Sequence, residues 1–301
     1  MRIDYEALKK ICLTKINNFY SLGIVQETKD GILISRTQEN NKILAVAHLD
    51  TVLSTNHFHV NKIDGKDFVF NAQLDDRLGA YILIALLPSL GLKYDLLLTE
   101  GEESGRSTAQ YFESKKQYNW MFSFDRRGDD VVMYEYDNLK SRELLKQFGF
   151  VPSFGSFSDI CFLDHLGCMG FNFGTGYHGE HSHLCRADIS QTVAQVTKFV
   201  PFFESLKNTP MPYAPEPHNY TVNPYGGRFL DYEGWEDYDL ESCEFCGNSL
   251  EGRDKDYGCC EDCAIDNGIL CEICTSRLSM DFIQYSTICR SCEDRYSDFV
   301  A

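Results

Sequence analysis

Residues 46–52 read Val-Ala-His-Leu-Asp-Thr-Val and end an apolar run that begins at Ile43. A short apolar run bounded by turn residues is typical of a buried strand. His48 and Asp50 are two residues apart, so on a strand they point to the same face at its carboxyl end. Ligand sites of open α/β sheets lie at that end. A metal-bound imidazole usually donates its other N–H to an oxygen. His48 is therefore a candidate metal ligand, and Asp50 is the candidate that orients it.

Apolar periodicity divides the first two hundred residues into alternating strands and helices. Strands are predicted at 31–36, 42–48, 94–99, 120–125, 131–136 and 169–173, with a hairpin over 60–70 around Asp64-Gly65. Helices are predicted from an Asp4 cap to about Tyr20, and at 78–87, 106–114, 139–148, 158–166 and 190–206. This alternation predicts an α/β fold with a mixed, mostly parallel sheet sandwiched by helices.

Composition limits the classes of partner. The 301 residues include 28 basic and 45 acidic ones, a formal net charge of −17. This charge argues against nucleic acid or an anionic membrane as the partner. The most apolar stretch, 80–87, is too short to span a bilayer, and the first residues lack the apolar segment of a signal peptide. We therefore expect a soluble, cytoplasmic protein.

The composition changes after residue 206. Five of the eight prolines lie between Thr209 and Ser242, together with an acidic run at 231–237. This composition is typical of a linker or a wrapping arm. The predicted organisation is an α/β core over 1–206, an arm over 207–242 and a cysteine-rich module over 243–301.

The cysteine-rich module contains four CxxC pairs. Nine of the 13 cysteines fall in the last 59 residues, and paired thiolates at this spacing typically complete tetrahedral zinc sites. Two structural zinc ions, in tandem zinc-ribbon-like repeats, are predicted on Cys243, Cys246, Cys260, Cys263, Cys271, Cys274, Cys289 and Cys292. From residue 211 on there are 6 basic and 19 acidic residues, which favours a protein partner or homo-oligomer over nucleic acid. The alternative is a module that only stabilises the core.

Four further clusters of acidic residues or histidines follow predicted strands. They read Asp-Asp-Arg-Leu-Gly at 75–79, Glu-Glu-Ser-Gly at 102–105, Asp-Arg-Arg-Gly at 125–128 and Gly-Tyr-His-Gly-Glu-His-Ser at 176–182. Each alone is typical of a solvated surface or a turn. Carboxylates beside buried strands are costly unless they are paired or bound to metal. Repeated at successive strand ends, they predict a two-metal site.

In order, the motifs HxD, DDRxG, EExG, DRRG and GYxxxHS resemble those of the co-catalytic di-zinc exopeptidases of clan MH, which include aminopeptidases and carboxypeptidases. The resemblance covers about residues 1–206. It implies a cis peptide at Asp75–Asp76 and a site at the carboxyl ends of the strands. It further implies that His48 and Asp125 bind one zinc, that Glu103 and His181 bind the other, and that Asp75 bridges the two. Glu102 would be the general base, and Asp50 would orient His48.

Some assignments remain open within this resemblance. His181 is preferred as the last ligand, with His183 second and His178 third. Arg126, Arg127 and Arg186 are candidates to bind a substrate carboxylate or phosphate, or are structural.

The core is minimal compared with the family it resembles. Only 26 residues separate His48 from Asp75, and 55 separate Asp125 from His181, so an inserted domain and a dimerising lid are both missing. The expected function is an aminopeptidase-like hydrolase of amide bonds in small peptide or N-acyl substrates, dependent on two zinc ions or another divalent metal. The alternatives are a non-catalytic adaptor that acts through the zinc module, and a deacylase or single-zinc cyclase.

Overall fold

The structure, a computed structural model, describes residues 1–155 and 157–214. The described residues up to 152 and from 157 onward belong to one compact unit. Most of the predicted arm and the eight cysteines of the CxxC pairs lie outside the described residues. The domain bounds and the structural zinc sites therefore remain predictions. Within the described ranges, no helix is both long and apolar enough to cross a membrane.

The strands form two sheets. They are β1 (Ile24–Thr28), β2 (Gly31–Arg36), β3 (Ile43–His48), β4 (His59–Ile63), β5 (Lys66–Phe70), β6 (Asp95–Thr99), β7 (Trp120–Arg126), β8 (Asp130–Val132), β9 (Val151–Ser153), β10 (Met169–Gly174), β11 (Tyr177–His178) and β12 (Arg186–Asp188). The larger sheet has eight strands in the order β1-β2-β6-β3-β7-β10-β8-β9. The smaller has four, in the order β11-β12-β5-β4.

The four central strands of the larger sheet, β6-β3-β7-β10, are parallel, and β2 and β8 pair with them antiparallel. All six residues of β3 are buried, because its two faces are both covered. In the register of the sheet His48 pairs with Thr99, so the chain leaves β3 and β6 at the same edge. The fold is the predicted mixed α/β sheet with helices, and it brings the strand-end motifs to one edge.

The helices are α1 (Tyr5–Leu13), α2 (Leu74–Tyr81), α3 (Leu87–Ser89), α4 (Leu139–Gln147) and α5 (Ile189–Leu206). Asp4 caps α1 as predicted, because its carboxylate accepts the Glu6 and Ala7 N–H groups. The prediction that this helix continues to about Tyr20 is wrong. The helix ends at Leu13, Thr14 takes an extended conformation, and a 3₁₀ helix follows at Ile16–Leu22.

Arg77 explains where α1 ends. Its Nη1 donates to the carbonyls of Ile11 (3.1 Å) and Thr14 (3.0 Å) at the end of the helix, where the only other bond to the Ile11 carbonyl among the described residues is a long one of 3.4 Å from the Thr14 N–H. The guanidinium also lies over the ring of Phe19, 5.1 Å from its centre. The arginine of the DDRxG motif therefore fixes α1 against the segment that carries the two aspartates.

The predicted helix at 78–87 begins earlier and ends later than expected. It starts at Leu74 but is interrupted by a kink at Asp75 and Asp76, whose backbone angles are not helical; it then passes through a π-helical turn at Ile82–Leu86 and ends at Ser89. Gly79 is required on this segment: an added Cβ would lie 2.0 Å from Asp76 Oδ1 and 2.1 Å from the carbonyl oxygen of Phe124. The absence of a side chain at Gly79 thus lets the aspartate pair lie directly against β7.

Several other elements differ from prediction in length or type. The segments predicted as helices at 106–114 and 158–166 are 3₁₀ helices, Thr108–Tyr111 and Asp159–Leu166. The strand predicted at 131–136 ends at Val132, because Tyr134 has a left-handed φ of 48° and opens a short 3₁₀ turn. The hairpin around Asp64-Gly65 is confirmed, with φ of 49° and 80° at the two turn residues.

Aromatic side chains pack α5 against the centre of the larger sheet. Phe199 lies 4.7 Å from Phe122 and 5.0 Å from Phe124 and Phe173, measured between ring centres. Trp120 packs edge-on against Phe202 at 5.4 Å and donates its indole N–H to the carbonyl of Leu206. This packing holds β7 and β10, and hence the loops that follow them, in place.

Candidate metal centre

His48 lies at the carboxyl end of β3 and is completely buried. Its Nδ1 lies 2.9 Å from the backbone oxygen of Asp50, which favours a proton on Nδ1 and a lone pair on Nε2. Nε2 is buried and has no hydrogen-bond partner among the described residues. It faces Asp125 Oδ1 at 3.3 Å and Asp75 Oδ1 at 3.4 Å. The ring is thus oriented with its free nitrogen toward two carboxylates.

Asp50 lies beside His48, and its backbone carbonyl and its carboxylate have different partners. Its carbonyl contacts the imidazole, whereas its carboxylate is 3.6 Å from Nδ1 and accepts the Glu103 N–H at 3.2 Å. The sequence predicted that Asp50 orients His48. In the structure, the backbone oxygen makes the close contact, and the carboxylate connects the β3 end to the glutamate loop.

Asp75 faces two histidines with its two carboxylate oxygens. Oδ1 lies 3.4 Å from His48 Nε2, and Oδ2 lies 3.4 Å from His181 Nε2. The peptide between Asp75 and Asp76 is cis, as the resemblance implied. Asp75 is the one described residue that approaches both imidazoles, so it is positioned to bridge two cations.

Glu102 and Glu103 are adjacent but diverge. Both lie on a 3₁₀ turn, Glu102–Ser104, flanked by Gly101 and Gly105, whose φ values of 82° and 67° favour glycine. Glu103 Oε2 is 2.9 Å from His181 Nε2, whereas Glu102 Oε2 is 3.9 Å from His48 Nε2. Burial, with the charges of nearby carboxylates, raises the pKa of Glu102 well above its ordinary value. Glu102 is therefore close to the cluster without touching a histidine directly.

His181 supplies the second imidazole. Its φ of 59° turns the chain, and its side chain, 42 % exposed, reaches Asp75 and Glu103. These two carboxylates raise its pKa to about 11. His183 is exposed, and His178 Nε2 lies 3.2 Å from Gln191 Oε1 instead. Of the three candidate histidines, His181 is the one that approaches the carboxylates in the described part of the chain.

Asp125 follows the apolar part of β7 and is held from two directions. Its N–H donates to Asn172 Oδ1, and its Oδ2 accepts the Ser158 hydroxyl, each at 2.9 Å. Its other oxygen faces His48. Burial lowers the pKa of His48, but the negative charge of Asp125, with the nearby carboxylates of Asp50 and Asp75, outweighs burial and raises it well above 6.5. An environment that favours a proton on this imidazole also favours a cation in its place.

Sequence reasoning gave Asp76 no role, yet it lies in the same cluster. It is fully buried; its Oδ1 accepts the Gly79 N–H, and its Oδ2 has no partner among the described residues. Burial and then the charge of Asp125 raise its pKa well above its ordinary value. The described residues contain two overlapping groups with metal-ligand spacing: His48 with Asp75 and Glu103, and His48 with Asp76 and Asp125.

The three candidate arginines lie outside this cluster. Arg126 donates to both carboxylate oxygens of Asp130, at 3.0 and 3.1 Å, and Arg127 donates to Glu180 at 2.8 Å. Arg186 is exposed on β12. Two of the three therefore already pair with carboxylates of this chain.

Solved structures share the fold of this chain. Aminopeptidase PepT from Bacillus cereus matches 68% of this chain and 99% of its own, with a TM-score of 0.50 at 12% identity. A tripeptidase from Staphylococcus aureus matches 69% of this chain and 100% of its own, with a TM-score of 0.51 at 11% identity. Neither a comparison with protein-family models nor one with curated protein sequences finds a match. At this identity the similarity shows the fold alone, a mixed, mostly parallel α/β sheet with helices.

Proposed function

We propose that this chain is a metal-dependent hydrolase of amide bonds, aminopeptidase-like in its chemistry, with a site for two divalent cations such as zinc. The observation that carries the proposal is the position of Asp75 between His48 and His181, one carboxylate oxygen toward each. A carboxylate placed to bridge supports two metal positions. It therefore favours a two-metal hydrolase rather than a single-zinc cyclase. Fold neighbours that are peptidases are consistent with the proposal.

The residues present fit such cations on distance. Nitrogen and oxygen ligands about 2.0–2.1 Å from a tetrahedral zinc lie about 3.3–3.4 Å from each other. Three of the four distances fit: those from His48 Nε2 to Asp75 and Asp125 are 3.4 and 3.3 Å, and that from His181 Nε2 to Asp75 is 3.4 Å, whereas His181 Nε2 and Glu103 Oε2 lie at a hydrogen-bond distance of 2.9 Å. Hydrogen bonds of good geometry are shorter. His48 and Asp125 would hold one cation, Glu103 and His181 the other, and Asp75 both.

The residues also fit on charge. Four carboxylates, those of Asp75, Glu102, Glu103 and Asp125, surround two imidazoles; Asp75 and His48 are buried, and the other three carboxylates are partly buried. Buried carboxylates without compensation are costly. Unpartnered buried atoms, His48 Nε2 and Glu103 Oε1, lie among them. Two divalent cations would supply the missing charge and the missing partners.

When bound, the cations would lower the pKa of a water molecule and polarise the carbonyl of the substrate. In this proposal Glu102 accepts a proton from that water and returns it to the leaving amine. The distance of 3.9 Å from His48 Nε2 keeps Glu102 near the site without making it a ligand. Asp50 holds the imidazole through its carbonyl.

Small peptides and N-acylated amino acids are the proposed substrates. Arg126 and Arg127 already have carboxylate partners, which leaves the exposed Arg186 as the freer candidate to receive a substrate anion. The C-terminal module, with two structural zinc ions and a protein partner or second copy, remains a separate prediction.

The proposal is tested with a panel of aminoacyl and N-acyl substrates, each assayed with and without added zinc. Glu102→Gln should lose about 10²–10⁴-fold in kcat, the range for lost general acid–base catalysis, while it still binds zinc. Asp137→Asn is the matched control, because Asp137 pairs with Arg142 away from the site. A Glu102→Gln variant as active as the control would refute the role of Glu102. Wild-type protein that hydrolyses none of the panel in zinc would refute the proposed activity.

A further inference from the structure

Two adjacent side chains, Ser158 and Asp159, contact the elements that carry the metal centre, although the proposed chemistry does not use them. Both are buried, at 0% and 1% exposure. They lie at the start of the 3₁₀ helix Asp159–Leu166. Their polar atoms reach the carboxyl ends of β6 and β7, the two strands that flank β3 in the larger sheet.

Asp159 connects the two ends of the glutamate loop, which we define as residues 100–106. Its Oδ2 accepts the hydroxyl of Thr99, the last residue of β6, at 2.7 Å. Its Oδ1 accepts the hydroxyl of Ser107, the residue that precedes the next 3₁₀ helix. Glu102 and Glu103 lie between these two contacts. One buried carboxylate therefore fixes both points at which this loop enters and leaves the fold.

Ser158 acts on the other side of the cluster. Its hydroxyl donates to Asp125 Oδ2 at 2.9 Å, so Asp125 Oδ1 is left to face His48 Nε2 at 3.3 Å. The two neighbouring residues thus reach a proposed metal ligand on β7 and the loop that carries the proposed base. Because they are consecutive in the chain, the separation between those two groups depends on one short piece of backbone.

We propose that Ser158-Asp159 is a positioning element that sets the placement of Asp125 relative to the glutamate loop. The roles of Asp125, Glu102 and Glu103 in this statement depend on the proposed function. Ser158 and Asp159 themselves touch no substrate in this proposal; they act through the hydrogen bonds they make.

The positioning depends on the two hydrogen bonds of Asp159 rather than on its charge. An asparagine can keep both, because its oxygen can accept from Ser107 while its amide donates to Thr99 Oγ1. The Thr99 proton then has another acceptor, the carbonyl of Ala47, which already lies 3.2 Å away. Asp159→Asn should therefore preserve the loop, whereas Asp159→Ala removes both bonds. This pair of variants separates positioning from a purely electrostatic role.

Hydrogen–deuterium exchange on the full-length protein tests this directly. In Asp159→Ala, amides of residues 100–109 should exchange at least about tenfold faster than in wild type, while Asp159→Asn should exchange no faster than wild type. Asp137→Ala, which removes a carboxylate elsewhere, should match wild type. The proposal is overturned if Asp159→Ala also matches wild type, if Asp159→Asn exchanges as fast as Asp159→Ala, or if the acceleration extends equally to β10. Should Asp159→Ala fail to fold, Thr99→Val removes one of the two bonds and is judged by the same criteria.

A zinc titration tests the Ser158 half. Ser158→Ala should raise the zinc dissociation constant about 10–100-fold, the usual effect of removing a partner of a ligand. Asp137→Ala should leave it unchanged. An unchanged constant in Ser158→Ala overturns this half of the proposal. If wild type binds no zinc, the proposed function fails, while the exchange experiment still decides the role of Asp159.

Discussion

Arg77→Met removes the group that joins α1 to the aspartate pair, and its effect can be worked out from the structure. Arg77 is 3% exposed, and its Nη1 donates to the carbonyls of Ile11 and Thr14. Hydrogen bonds from a charged donor contribute about 1.5–3 kcal/mol each, and the contact with Phe19 about 1 kcal/mol. Burial lowers the pKa of Arg77, and its Nε has no hydrogen-bond partner among the described residues. The cost of burying the charged guanidinium therefore offsets part of the stabilisation from these contacts. We expect a net loss of about 3 kcal/mol in the free energy of unfolding.

Thermal unfolding measures this loss. For a unit of this size, about 3 kcal/mol corresponds to a fall in Tm of about 6–12 °C. Arg142→Met is the matched control: Arg142 pairs with Asp137 at a partly exposed position, where an ion pair contributes at most about 1 kcal/mol. If Arg77→Met loses no more than Arg142→Met, the account of how α1 is held against the aspartate pair is wrong.

Two further predictions concern the core and the pH dependence of stability. Phe199→Ala should lower the free energy of unfolding, measured by chemical denaturation, by about 3–5 kcal/mol, because Phe199 packs against the rings of Phe122, Phe124 and Phe173. The control Leu139→Ala, at an 81% exposed position, should change it by less than about 0.5 kcal/mol. Equal losses in the two variants would contradict the packing account. Burial raises the pKa of Asp159 from 3.8 to about 6. The folded state therefore binds more protons than the unfolded state between these values, and stability falls as pH rises through this window. In chelator-treated protein, Asp159→Asn should accordingly be more stable than wild type by about 3 kcal/mol at pH 8. That advantage should shrink steadily below about pH 6, and an advantage that is absent at pH 8, or that grows on acidification, would contradict a raised pKa for Asp159.

Much of the fold could be predicted from the sequence because its central strands are short apolar runs that end in polar residues. The runs that became β3, β6, β7 and β10 are buried on both faces, which makes them continuous in apolar character. The strand β1 was missed because it is largely exposed and has no clear alternation. The end of α1 was missed because it depends on Arg77, which is 66 residues from Ile11 in sequence.

The residues of the candidate site also differ in whether the sequence could predict them. The residues in motifs, such as His48, Asp75 and Glu103, could be proposed in advance, and the structure brings their polar atoms together. The supporting residues Ser158, Asp159 and Asn172 could not, because their contacts span 33 to 60 residues of sequence and these residue types are common in turns. The Asp-Asp pair at 75–76 was the available signal for Asp76. A second buried carboxylate beside a predicted ligand merits a place among the candidates.

Anomalous scattering at the zinc edge, from crystals of the full-length protein purified with zinc, tests the central claim most directly. A two-metal site predicts two peaks about 3.5 Å apart in the core. One should lie between His48 and Asp125 and the other between Glu103 and His181, with Asp75 reaching both. A core with no peak, or with a single peak and Asp75 bound to one metal alone, would contradict it.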